Sequence, residues 1–146
     1  MIDLPFVGEP EPLEAVREIA RGKAGYRSAA GASSPVRHLE GYMPFLEFCR
    51  DRCIDPALLA DSISSFGRFV RSNSEAMEDQ RMMAAAAVFA GNVLTKSRDD
   101  AHWFSYEGHF PSAGTSARHY EMLEVIRLMT TADEDRFEQF LGILEG

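Results

Sequence analysis

Four histidines and one run of aromatic residues are the side chains of this sequence best suited to chemistry. His38, His102, His109 and His119 titrate, unperturbed, close to neutrality. Three of them surround the segment His102-Trp103-Phe104-Ser105-Tyr106-Glu107-Gly108-His109-Phe110. That order puts His102 and His109 at the two ends of a short hairpin and His119 at the start of the next helix, where they could converge as acid–base groups. A catalytic metal site asks for three ligands and an open position, with two ligands on one rigid element. Spacings of seven and ten residues across a turn and a loop do not offer this, and no His-Glu-x-x-His occurs. No metal and no cofactor are expected.

Nucleophilic and phosphate chemistry find less support still. There is no Gly-x-Ser-x-Gly elbow, and Ser33, Ser34 and Ser112 lie in loop-like stretches with no base beside them. Neither glycine-rich phosphate motif is present. Cys49 and Cys53 fall four apart on one face of an expected helix. Without a second Cys/His pair they read as two small buried hydrophobes, not a zinc site. The carboxylates of Glu78-Asp79, Asp99-Asp100 and Asp133-Glu134-Asp135 fall at helix ends, where capping and solubility account for them.

The aromatic segment is more suggestive. Successive side chains of a strand face opposite sides, so Trp103 and Ser105 point one way, Phe104 and Tyr106 the other. One side is expected in the core. The other marks a binding edge, because tryptophan and tyrosine dominate interface hot spots. Trp103, Phe104, Tyr106, Glu107 and Phe110 are the candidate binding residues. The chain carries a net charge of -8, and residues 101–146 hold eight acidic against three basic side chains. This excess suits a basic protein partner and disfavours nucleic acid and anionic lipid.

Those residues need elements to hold them. A run from Met82 to Gly91 is nearly all small or apolar and predicts a central helix, capped at Ser72 or Ser74 and ending near Lys96. Its face of Ala84, Ala87 and Gly91 lets a neighbouring helix approach closely, or a second copy of the chain, so a homodimer is a further option. Ahead of it, Pro44 opens a helix bearing Phe45, Phe48 and Cys49. Asp55-Pro56 opens another, with Leu59, Ile63, Phe66 and Val70 on one stripe. Beyond it, a strand at 102–106 returns through His109-Phe110-Pro111, residues 112–116 form a loop, a helix follows from Tyr120, and Asp133 caps the last helix. Pro12 starts a short helix that ends at Gly22, and residues 22–35 read as a flexible connection.

The expected organisation is an N-terminal helix and flexible arm over 1–35, then a single compact domain over 36–146 with a hairpin at about 101–111. The fold class is α+β and mostly α-helical, with five to six helices around the central small-residue helix and one short β-hairpin. A chain of 146 residues can bury an adequate core without staples. The sequence has no basic and apolar leader and no apolar run of ~18 residues. Seven methionines and two cysteines fit a reducing cytoplasm.

From about residue 40 the order of these signals resembles a known group. Asp61-Ser62-Ile63-Ser64-Ser65-Phe66 lies on one helix, a small-residue helix ends in Ala90-Gly91-Asn92-Val93-Leu94, and Trp103 follows on a strand before a loop and two helices. This resembles small bacterial domains of unknown function, largely actinobacterial, in which a helix ending Gly-Glu-Val-Leu runs into a Trp-bearing strand. Asn92 stands where that group carries an acidic residue, so no role for that carboxylate transfers. The resemblance implies an α-rich α+β fold without established activity, and some relatives of this look are immunity-type binding proteins. The resulting expectation is a non-catalytic interaction or regulatory protein, for instance an immunity-type inhibitor. The alternative is a small enzyme or ligand-binding domain with His102, His109 and His119 at a pocket near the hairpin.

Overall fold

The computed structural model describes residues 36–106 and 108–145; the helix and arm expected over 1–35, and Glu107, lie outside the described residues. The elements are α1 (Met43–Asp51), α2 (Pro56–Ala60), α3 (Ile63–Ser72), a 3-10 turn (Ser74–Glu78), α4 (Gln80–Ser97), β1 (His102–Phe104), β2 (Ser112–Gly114), β3 (His119–Glu121), α5 (Met122–Thr131) and α6 (Glu134–Glu145). The expected fold class holds: six helices among the described residues, with one small antiparallel sheet.

Several helix starts follow from local chemistry. The Asp55 carboxylate accepts a hydrogen bond from the Ala57 N–H at 3.0 Å, with Pro56 in the first helical position. Asp133 does the same for α6, accepting from the Arg136 N–H at 2.9 Å. The single amphipathic helix expected from Pro56 to Val70 is instead two. Ser62 takes an extended conformation and its hydroxyl accepts from the Ser65 N–H at 3.0 Å, so a capping serine interrupts an apolar stripe that continues across the break. The start of the central helix also differs from expectation. Ser74–Glu78 winds as a 3-10 turn, and Asp79 is the cap, accepting from the Arg81 and Met82 N–H groups at 2.8 and 3.3 Å.

Every residue of α4 from Ala85 to Thr95 is buried, and α1, α2, α3, α5, β1 and β2 all pack on it. Its alanines give the surrounding elements room to approach. Phe89 stands out of that small-residue surface and meets Phe45 at 5.0 Å and Phe66 at 5.7 Å between ring centroids. These three rings join α1, α3 and α4. Ala87 is fully buried and Gly91 lies under the Trp103 indole, so these two positions of that face are covered within one chain, whereas Ala84 is half-buried.

Ahead of α1 an irregular strap runs along the C-terminal half of α4. The Asn92 side chain, fully buried, grips the strap at Leu39: its Oδ1 accepts from the Leu39 N–H at 2.9 Å and its Nδ2 donates to the Leu39 carbonyl at 2.8 Å. Two residues earlier, Arg37 donates to the carbonyls of Thr95, Arg98 and Ala101. It thereby satisfies carbonyls that the end of α4 leaves without intrahelical partners. The Thr95 hydroxyl returns a bond to the Arg37 carbonyl at 2.6 Å.

The hairpin expected at 101–111 is a three-stranded sheet in the order β1-β2-β3. The strand returning to β1 is Ser112–Gly114, not His109-Phe110-Pro111. Thr115 and Arg118 exchange two backbone hydrogen bonds around Ser116-Ala117, and β3 then pairs with β2. His119 and Tyr120 therefore belong to a strand, and α5 begins only at Met122.

Candidate functional site

The sheet sorts its aromatic residues by strand parity. Trp103 is fully buried; its indole N–H donates to Asn92 Oδ1 at 3.1 Å, and its ring fills the space over Gly91, where any Cβ would overlap it. Phe110 is buried as well. These two candidates are core residues and present no surface to a partner. Glu107 lies outside the described residues. Phe104 and Tyr106 remain, on the opposite side of β1.

On that outer side a ladder of rings forms that combines two strands. His102, Gly114 and His119 occupy one row across β1, β2 and β3. Glycine in the middle position leaves no side chain between the two imidazoles. Phe104 closes the gap, with its ring centroid 4.2 Å from His102 and 4.1 Å from His119. Tyr106 lies nearly parallel to His119, with ring centroids 5.7 Å apart and planes 12° apart, and is 45% exposed. Gly114 has φ of +142°, a backbone state that side chains rarely adopt. Both its conformation and its lack of a side chain are used.

Two hydrogen bonds fix the orientation of His119. Its Nδ1 lies 3.0 Å from the Thr115 carbonyl oxygen, which can only accept, so Nδ1 carries the hydrogen. In the neutral ring Nε2 then accepts from the Tyr106 hydroxyl at 2.7 Å. The imidazole has the orientation of a general base, yet the proton it faces belongs to a tyrosine on the same surface. Burial, opposed by a hydrogen bond with the Asp100 backbone and reinforced by the charges of His119 and Arg37, holds His102 below the ordinary imidazole range. His109 does not join this group; its Nδ1 lies 3.7 Å from the Glu121 carboxylate.

The three histidines therefore do not converge on one pocket. Two cavities, of about 270 and 300 Å³, open beside the end of α4, and no histidine lines either. No group of three His, Cys, Asp or Glu side chains among the described residues is placed to hold a metal ion. His38 is buried in the strap, edge-on to Tyr42, and burial lowers its pKa.

The cysteines also part company. Cys49 is buried in α1 and its thiol is pushed up to about 12, mainly by burial. Cys53 is exposed beyond the helix end, with φ of +58°. Its N–H bonds to the Arg50 carbonyl and the Ile54 N–H to the Cys49 carbonyl, so Cys53 takes the left-handed position of a Schellman ending. The expected pair of buried thiols is one buried thiol and one helix terminator.

Asn92 and Gly114 are the residues whose importance sequence reasoning missed. Only the resemblance read from the sequence drew attention to Asn92, and Gly114 sat in a stretch read as loop. No family model, no curated protein and no solved structure matches this chain.

Proposed function

We propose that this chain is a non-catalytic protein-interaction module whose contact surface is the outer face of the sheet, built from His102, Phe104, Tyr106 and His119. One observation carries the reading: an ordered ring ladder stands on the solvent side of a sheet whose inner side already supplies Trp103 to the core. Folding needs only one of those two aromatic layers. Rings held in advance by stacking and by the Tyr106–His119 hydrogen bond lose little freedom on binding, which favours affinity. The acidic excess of residues 101–146 favours a basic partner surface and fast encounter at low salt. An inhibitor of immunity type, covering a basic partner, is one module of this kind. The two free thiols are compatible with a reducing cytoplasm; among the described residues no helix is long and apolar enough to cross a membrane.

The rival reading, an enzyme or ligand site using His102, His109 and His119, has less support, since no histidine lines either of the two cavities beside the end of α4. The test uses the intact chain as bait beside its Tyr106→Ala variant, with any partner retained by the first then purified and titrated calorimetrically against both. Loss of about 2 kcal/mol of binding, the scale of an interface hot spot, is expected for Tyr106→Ala, against a stability loss of about 0.5 kcal/mol or less. Equal affinity for both proteins, at equal stability, removes this face from the interface.

A further inference from the structure

The 300 Å³ cavity lies where the end of α4, the β2–β3 turn and the end of α6 meet. Its apolar wall is Leu94, Ala101, Ile143 and Leu144, and Arg98 and Arg118 reach its lining. Among the described residues no carboxylate lines it, although the chain as a whole carries an excess of acidic residues. The neighbouring 270 Å³ cavity shares Leu94, Arg98 and Leu144 but includes Asp61 and Glu145, so its charge is balanced.

One further observation separates the larger cavity from an ordinary surface dent. Arg98 is engaged by Asp100 at 3.2 Å, whereas Arg118 forms no ion pair among the described residues. Tyr120 also lines the cavity, but its hydroxyl is buried away from it.

We propose that this cavity binds a small amphiphilic carboxylate. The alkyl or aryl part lies on Leu94, Ala101, Ile143 and Leu144. The carboxylate accepts from the Arg118 guanidinium at the mouth. The apolar wall separates this ligand class from inorganic phosphate, and the unopposed arginine separates it from a neutral lipid or alcohol. The site shares none of the ladder side chains His102, Phe104, Tyr106 and His119, so either proposal can fail alone.

The experiment is an amide chemical-shift titration of the full chain with octanoate, 1-octanol and inorganic phosphate at constant ionic strength. Octanoate is expected to saturate shifts at Leu94, Ala101, Arg118 and Ile143, and to bind about tenfold or more tightly than octanol, while phosphate shifts none of them. Arg118→Gln, an exposed position, is expected to weaken octanoate by about tenfold and leave octanol unchanged. Tyr106→Ala leaves all three titrations unchanged. Equal binding of acid and alcohol, octanoate binding indifferent to Arg118→Gln, or no saturation up to about 10 mM octanoate overturns the proposal.

Discussion

The two faces of the small sheet use similar residues to opposite ends. On the inner face, Trp103 lies under α4, hydrogen-bonded to a buried asparagine that also holds the strap. On the outer face, Phe104, Tyr106 and two imidazoles make an equally ordered stack whose hydrogen bonds stay within reach of water. The inner group is fixed by burial and by polar partners that have no alternative. The outer group has alternatives in solvent, and order without burial is what recognition surfaces require.

That contrast predicts a steep ranking of stabilities, measured by urea unfolding. Trp103→Ala is expected to cost about 3–5 kcal/mol, the range for removing a large buried ring. Asn92→Ala comes next, at about 3 kcal/mol, because it strands the Leu39 N–H and carbonyl and the Trp103 N–H in a buried place. Phe104→Ala is expected to cost about 1 kcal/mol, the worth of its ring contacts. Tyr106→Ala is expected to cost about 0.5 kcal/mol or less. If Phe104→Ala or Tyr106→Ala matched Trp103→Ala, the outer ladder would be a second core and the contrast would collapse.

The smallest effect is a dependence on pH. An unfolded imidazole takes up its proton near pH 6.5, whereas folded His102, with its pKa lowered, resists it. Its contribution to stability is therefore full above about pH 6.5 and is lost as pH falls toward the folded pKa. His102 is only half-buried, so solvent screening keeps the effect small. His38 adds a slope of the same sign from inside the strap. Comparing wild type with His102→Gln between about pH 7.5 and 5.5 isolates the outer-face share; an identical slope in both proteins would assign the whole dependence to other groups.

Much of this architecture was legible because its signals are local. Asp55-Pro56 and Asp133 announced their helices, the alanine run announced the central one, and the alternation around Trp103 placed one aromatic layer inside. Errors arose where two local signals competed or where the partner was distant. Ser62 capped a helix inside an apolar stripe that gave no sign of stopping. Asp79 outcompeted Ser72 and Ser74 because the intervening residues wound as a 3-10 turn. Ser112-Ala113-Gly114 became a strand although small residues have weak strand preference, since it pairs with β1 on one side and β3 on the other. The β2–β3 turn has Ser116-Ala117 at its tip, without the glycine or asparagine that marks most two-residue hairpins. Asn92 and Leu39 are 53 residues apart, and nothing in the sequence around either names the other.

The strap that Asn92 holds also makes the molecule mechanically asymmetric. Tension applied through the chain ahead of Val36 meets several bonds almost side by side: Trp103 N–H to the Val36 carbonyl, the three donors of Arg37, the Thr95 hydroxyl, and the two-way grip on Leu39. They share the force and pass it to α4, the longest helix among the described residues and buried from Ala85 to Thr95. Tension applied at the other end reaches α6, whose C-terminal turn has no such clamp among the described residues. Pulled by its two ends, the protein is expected to open from α6 while the strap holds.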